Sequence, residues 1–285
     1  MITISNTYQS MKLGNILNFA SKKMETAQLR LTTGLRINSA KDDPAGLGMA
    51  VQKDVQIRGS EVAKQNSLYA KNITDSIGSA VSIINDKYGE IKELAIKAQG
   101  ALSDEQKAAY GEEAKQIYNS IVSLQATVMK DFNAPSDIAT AKNSTTTFQI
   151  GWDSGAYSTK DVKLFAWVMP ENTMTATDFD FTDEANITAT MTKTEAVMKD
   201  TLMPEITKLG ATSKILAENA DLQDVNIINL SAAKSRIVDA DMAREASELT
   251  KYEIMAQSAA ALLVQSQNFN AGITLSLIAG SRIAY

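Results

Sequence analysis

The sequence predicts a mainly α protein, a hairpin-shaped rod of long coiled-coil-like helices formed by both chain ends, with a small β-hairpin region in the middle. Three observations lead there. Outside the middle, apolar residues recur with the alternating 4-3 spacing of a coiled-coil seam rather than the wider stripe of a globular helix. The four prolines, Pro44, Pro135, Pro170 and Pro204, leave residues 45–134 and 205–285 without a helix breaker. Both tryptophans and four of the seven phenylalanines fall between 140 and 194, where the apolar period drops to two.

The first helix is expected in a segment 1–43, with the seam Leu13, Leu17, Ala20, Met24, Ala27 and Leu31. Asp43 stands where an N-cap belongs and Pro44 at the first helical position, so a second helix begins there. Helices over 44–135 carry two seams. One runs Val62, Tyr69, Ile73, Ile77, Ala80, Ile84, Ile91, Leu94, Ala98, with Asn66 and Lys87 at two of its positions. The other runs Tyr110, Ala114, Ile117, Ile121, Leu124, Val128.

Residues 136–194 read as a β-hairpin and an exposed Ser/Thr-rich tip. Phe148, Ile150 and Trp152 alternate with polar residues, and so do Val162, Leu164, Ala166 and Val168, with turn-forming Asp153-Ser-Gly155 between the two sets. A further helix over 195–240 carries Leu209, Leu216, Ala220, Ile227, Leu230 and Ile237. The last, over 241–285, carries Met242, Ala246, Leu249, Ala256, Ala260 and Leu263 and is capped by Asp239 or Asp241.

Composition narrows the chemistry. The chain has no histidine and no cysteine, so a Ser-His-Asp triad, a thiol nucleophile and a His- or thiolate-ligated zinc are excluded. No cofactor or metal is expected. Asp178 with Asp180, and Asp239 with Asp241, offer two carboxylates each, well short of the six or more oxygens of a calcium site, and read as caps and solvated groups. Gly46-Leu-Gly48 lacks the preceding strand and third glycine of a dinucleotide loop. A net charge of −5, from 28 basic and 33 acidic residues, gives no footprint for nucleic acid.

The longest apolar run, Ala259 to Val264, is six residues, so no membrane insertion is expected. The first residues lack a basic region followed by an apolar stretch, which predicts no cleaved signal peptide. Four glycosylation tripeptides begin at Asn72, Asn143, Asn186 and Asn229. The terminal seams are rich in small residues and would bury little area as an isolated pair. That points to self-assembly through the termini.

Two long motifs carry a family resemblance. Leu31-Thr-Thr-Gly-Leu-Arg-Ile-Asn-Ser-Ala-Lys-Asp-Asp-Pro-Ala-Gly-Leu47 resembles the most recognisable stretch of bacterial flagellin, and Asn229-Leu-Ser-Ala-Ala-Lys-Ser-Arg-Ile-Val-Asp-Ala-Asp-Met-Ala243 is similar to its C-terminal signature. The signature positions are Gly34, Leu35, Arg36, Asn38, Asp42, Asp43, Ser235, Arg236, Ile237, Asp239 and Asp241. The resemblance covers roughly 1–135 and 195–285 and implies a structural subunit, not an enzyme, that polymerises into the extracellular flagellar filament for swimming. Its terminal helices would assemble the filament core.

Implied partners are other copies of the chain, the export apparatus, an export chaperone on the helix over 242–285, and the filament cap and hook-filament junction proteins. Some family members meet an innate immune receptor through an exposed helix patch. The matching positions here are Glu90, Ile91, Lys92, Glu93 and Leu94, where Glu90 replaces an arginine, so weak or absent recognition is expected. A hook-filament junction protein and a secreted coiled-coil adhesin are the alternative readings. A glycan-acting enzyme with paired carboxylates is a remote third.

Overall fold

A computed structural model describes residues 2–132, 144–153, 155, 158–164, 174 and 176–281, with 2–7, 176–177, 270 and 273–281 described by their backbone alone. Six α-helices account for most of it: α1 (Ile2–Thr33), α2 (Pro44–Gln99), α3 (Asp104–Asp131), α4 (Glu184–Val197), α5 (Met203–Val238) and α6 (Met242–Ser281). Strands β1 (Thr146–Gln149) and β2 (Thr159–Val162) pair antiparallel, with Thr146 opposite Val162 and Gln149 opposite Thr159. The expected mainly helical chain with a small central hairpin is what forms.

Local chemistry explains the helix boundaries. The Asp43 carboxylate accepts from Gly46 N at 2.9 Å just ahead of Pro44, so α2 starts where the sequence placed it. Ser103 caps α3 through Gln106 N, and Asp183 caps α4 through Ala185 N at 3.0 Å. Between α4 and α5 the chain stays helical but widens into a π turn over Met198–Leu202. Pro204 follows directly, and its ring displaces the carbonyl four residues back while offering it no N–H. The wider turn accommodates both effects.

The chain divides into two compact units, one of residues 1–55 with 230–285 and one of 56–229. The second has the larger core. Tyr88, Phe181, Ile77, Ile84, Ile91, Ile121, Ile187, Leu202 and Leu216 are all fully buried there. Gly111 of α3 is buried where Phe179 to Phe181 cross the helix; a Cβ on it would overlap the Phe179 carbonyl oxygen. Tyr118 stacks on Phe179 beside that crossing, ring centroids 5.3 Å apart.

Within this unit the seam of α2 differs from the expected one. Val62 and Tyr69 are exposed, at 55 and 64 %. The buried line is Ser60, Ala63, Ser67, Ala70, Thr74, Ile77, Val81, Ile84, Tyr88, Ile91, Ala95 and Ala98, an unbroken 3-4 alternation. Three of its positions are serine or threonine. Ser67 Oγ donates to Ala63 O at 2.9 Å and Thr74 Oγ1 to Ala70 O at 2.8 Å, so these two hydroxyls satisfy themselves inside their own helix and enter the seam as small neutral groups. The α3 seam lies on the packed face as expected, with Ala114, Ile121 and Val128 buried. So does α5, through Leu209, Leu216 and Ala220.

The middle region differs from the exposed tip expected of it. Phe148, Ile150, Val162 and Leu164 turn inward onto the second unit's core. The hairpin lies along α2 and α5: Asn66 Nδ2 donates to Gln149 O at 3.0 Å and Gln223 Nε2 to Ile150 O at 3.2 Å. Trp152 falls past the end of β1 and is half-exposed rather than part of the alternating face. Ala166 and Val168 lie outside the described residues. Helix α4 begins at Glu184, eleven residues before the boundary drawn at 195, and buries Ile187, Thr190, Thr194 and Val197. Its seam was hidden because two of those four positions are threonines. Thr194 bonds back to Thr190 O at 2.8 Å and Thr190 to Asp178 O at 2.5 Å.

Candidate assembly site

In the first unit, α1 and α6 pair antiparallel. Ser10 Oγ meets Ser266 Oγ at 2.9 Å near one end, and the Arg30 guanidinium meets the Glu245 carboxylate at 3.2 Å near the other. Phe19 and Tyr252 pack edge to face between them, centroids 6.1 Å apart. On α1 the expected seam holds: Ala20 and Ala27 are buried, and Leu13, Leu17, Met24 and Leu31 are half-buried. On α6 it shifts. Met242 and Ala246 are exposed, and the packed line is Glu245, Leu249, Tyr252, Ala256, Ala259, Leu263 and Ser266. Ala260 sits beside it, half-buried, and Ala259 takes the buried place.

The offset has a plain cause. Choosing the most apolar residue at each step selects Met242 and Ala246, whereas the helix turns Glu245 inward because Arg30 is there to meet it. Sequence reasoning missed Glu245, Tyr252 and Arg30. An Arg on one terminal helix and a Glu on the other was the available signal.

The elbow that joins each of these helices to its neighbour is built from the signature residues. Gly34 has φ +72°, the left-handed conformation that ends a helix, and its N–H closes on Arg30 O at 2.8 Å. The chain then bridges the other elbow: Ala240 N donates to Gly34 O at 2.9 Å, Arg36 N to Val238 O at 2.6 Å, and Arg36 Nη2 to Ile237 O at 2.5 Å. Asn38 N and Ser39 N both donate to the Asp42 carboxylate, at 3.1 and 2.9 Å. Those two backbone bonds hold the Asp42 carboxyl below its ordinary range.

Asp241 caps α6 through Ala243 N, and Asp239 accepts the Ser235 hydroxyl. Ile37, Ala50 and Val238 close a small apolar cluster under the elbow, with Leu47 and Ile237 against it. Arg236 is exposed. Every acidic signature residue therefore has a local partner. Of the other pair of carboxylates, Asp178 takes both oxygens to Lys193 Nζ at 2.8 Å and Asp180 accepts from Thr182.

Sequence models of the bacterial flagellin N-terminal helical region and C-terminal helical region match residues 4–133 and 179–275. The chain belongs to the bacterial flagellin family. It is 29 % identical to a flagellin of Listeria innocua over 90 % of this chain and 93 % of that one. A flagellin of Halalkalibacterium halodurans is also 29 % identical, over 89 and 90 %. The flagellar filament 33 kDa core protein of Treponema phagedenis is 28 % identical over 96 and 98 %. Flagellins are structural subunits of the flagellar filament, not enzymes. The signature elbow lies within the two matched regions of this flagellin, as do α1 from residue 4 and α6 to residue 275.

Of the positions matching the receptor patch, Ile91 and Leu94 are buried in the second unit's core. Glu90 is exposed, Lys92 pairs with Glu195 at 3.3 Å, and Glu93 with Lys97 at 2.8 Å.

Proposed function

We propose that this chain polymerises with copies of itself into the extracellular flagellar filament used for swimming, with α1 and α6 forming the filament core. The observation that carries the reading is the apolar surface left open on that pair. Tyr8, Met11, Leu29, Ile254, Leu262, Val264 and Phe269 are each at least half exposed, while the seam between the helices is largely alanine and leucine. A pair that buries small residues and exposes large ones gains its stability from neighbours. The core residues are Leu13, Leu17, Ala20, Met24, Ala27 and Leu31 on α1 and Leu249, Ala256, Ala260 and Leu263 on α6, with Met242 and Ala246 turned toward neighbouring copies.

Before assembly the same apolar face of α6 suits capture by an export chaperone, and delivery through the flagellar export apparatus places the subunit beneath a filament cap, above the hook-filament junction proteins. Recognition by an innate immune receptor at Glu90 to Leu94 is weak, because Glu90 opposes the charge such a contact needs and Lys92 is already engaged.

The test is electron microscopy of the purified chain after seeding, beside a variant lacking residues 1–35 and 250–285. Long uniform filaments from the full chain and none from the truncated one are expected. Short caps or dispersed particles from both would move the assignment to a junction protein or an adhesin.

A further inference from the structure

The α1 and α6 seams share a property that leaves their pairing underdetermined. Both follow unbroken 3-4 spacing, Ser10, Leu13, Leu17, Ala20, Met24, Ala27, Leu31 on one side and Glu245 to Ser266 on the other. The Ser10–Ser266 and Arg30–Glu245 contacts set a register that brings Leu17 level with Ala259 and Ala27 level with Leu249. Slide one helix by seven residues, and Leu13 comes level with Ala256 and Ala20 with Leu249. Those pairs match in volume equally well. These layers do not choose between the two arrangements, because a heptad repeat returns the same face after every seven residues.

Polar groups at the elbow do choose. A seven-residue slide is a displacement of about 10 Å at ~1.5 Å per residue. It would break the Ala240–Gly34 and Arg36–Val238 backbone bonds and the Arg36–Ile237 bond. It would also carry Glu245 away from Arg30. Glu245 is 9 % exposed, so in one direction of slip it faces Met24 as a carboxylate in the seam without its cation, a strongly disfavoured state.

We infer that the signature elbow is a register clasp: Gly34, Arg36 and the Arg30–Glu245 pair fix which turn of α1 faces which turn of α6, and the apolar seam supplies adhesion without selecting the register. The inference rests on the filament-core reading, since the clasped pair is the unit that neighbours pack against. It assigns the 31–47 and 229–243 motifs a positioning role. They set the axial phase of the two chain ends so that every copy presents the same apolar surface to the next.

The absence of cysteine makes the register directly readable. Two cysteine pairs are introduced separately into the full chain, Ala20→Cys with Ala256→Cys for the native register and Ala20→Cys with Leu249→Cys for the slipped one. Filaments are grown from a mixture of isotope-labelled and unlabelled subunits, then bridged with a short bismaleimide. Links within one chain give no mixed-label product. Each pair is read in the otherwise unchanged chain and in the background Arg36→Pro with Ala240→Pro and Glu245→Leu, which removes both backbone donors, the Arg36 side-chain bond and the Arg30–Glu245 pair while keeping the seam apolar.

In the unchanged chain the native pair bridges within one chain and the slipped pair does not. In the clasp-free background the slipped product rises to rival the native one, and Arg36→Lys with Ala240 and Glu245 restored suppresses it again. Persistence of the native product alone in the clasp-free background overturns the clasp, as does slipped product from the unchanged chain. Failure of the polymerisation reading looks different, since the unchanged chain then gives no filaments. If the clasp-free chain forms no filaments, bridging is read on the seeded monomer at equal helicity, with the same two outcomes deciding.

Discussion

Gly111 and Tyr88 are single positions whose surroundings leave little freedom. A methyl on Gly111 would press on the Phe179 carbonyl, which is backbone and has no rotamer to yield. Overpacking of that kind costs about 1–3 kcal/mol, more than the helix-propensity gain of replacing glycine. Gly111→Ala is therefore expected to lower the urea midpoint of the second unit without changing the slope of the transition. Burial of Tyr88 pushes its phenol above the ordinary value of 10.0. Its folded-state value is the higher one, so the stability it contributes is intact below pH 10 and declines as pH rises above it. Urea titrations at pH 9 and at pH 11 are expected to show a loss in the wild-type chain that is smaller in Tyr88→Phe.

At the scale of elements, the decisive contrast is between two neighbouring positions on α2. Val62→Ala, on the exposed side, is expected to shift stability by no more than about 0.5 kcal/mol, the range for surface changes. Ala63→Leu, one residue on and 1 % exposed, forces three extra carbons into the seam and is expected to cost about 1–3 kcal/mol. Thermal melts of both variants decide which seam is real; equal effects would restore Val62 to the core.

The same contrast separates what was legible in the sequence from what was not. Helix starts at Pro44 and Met242 were readable because their caps are local chemistry, and the α1, α3 and α5 seams because apolar residues hold most of their 3-4 positions. The α2 seam above Ile77, α4 and the Glu245 position on α6 were not readable. In each, a serine, threonine or glutamate occupies an interior position: Ser67, Thr74 and Thr194 close on their own helix backbone, and Glu245 meets Arg30 on the facing helix. The hairpin's strands were legible from their period of two, and its place along α2 and α5 was not, because Asn66 and Gln223 read as surface amides.

For the whole molecule, the division near residues 55 and 230 separates a unit with the larger buried core from one that leaves large apolar side chains of α1 and α6 exposed. Deleting residues 1–35 and 250–285 is expected to leave the cooperative melt of the second unit in place, within a few degrees, while abolishing filaments. A collapse of that melt on truncation would show the terminal helices to be part of its folding unit. Raising salt should change that melt little, since ion pairs such as Lys71–Asp75 and Lys97–Glu93 are exposed and weak.

The alanine-, serine- and threonine-rich seams also matter to the unfolded chain. A thread of this composition offers few clusters of large apolar side chains, so premature collapse and chain-to-chain sticking are weak until the helices form. The adhesive strength of the helices arises only once backbone and hydroxyls have closed on each other and small residues let neighbouring helices come close. Solubility in the unfolded state and cohesion in the assembled one are then served by the same residues, and the switch between them is helix formation itself.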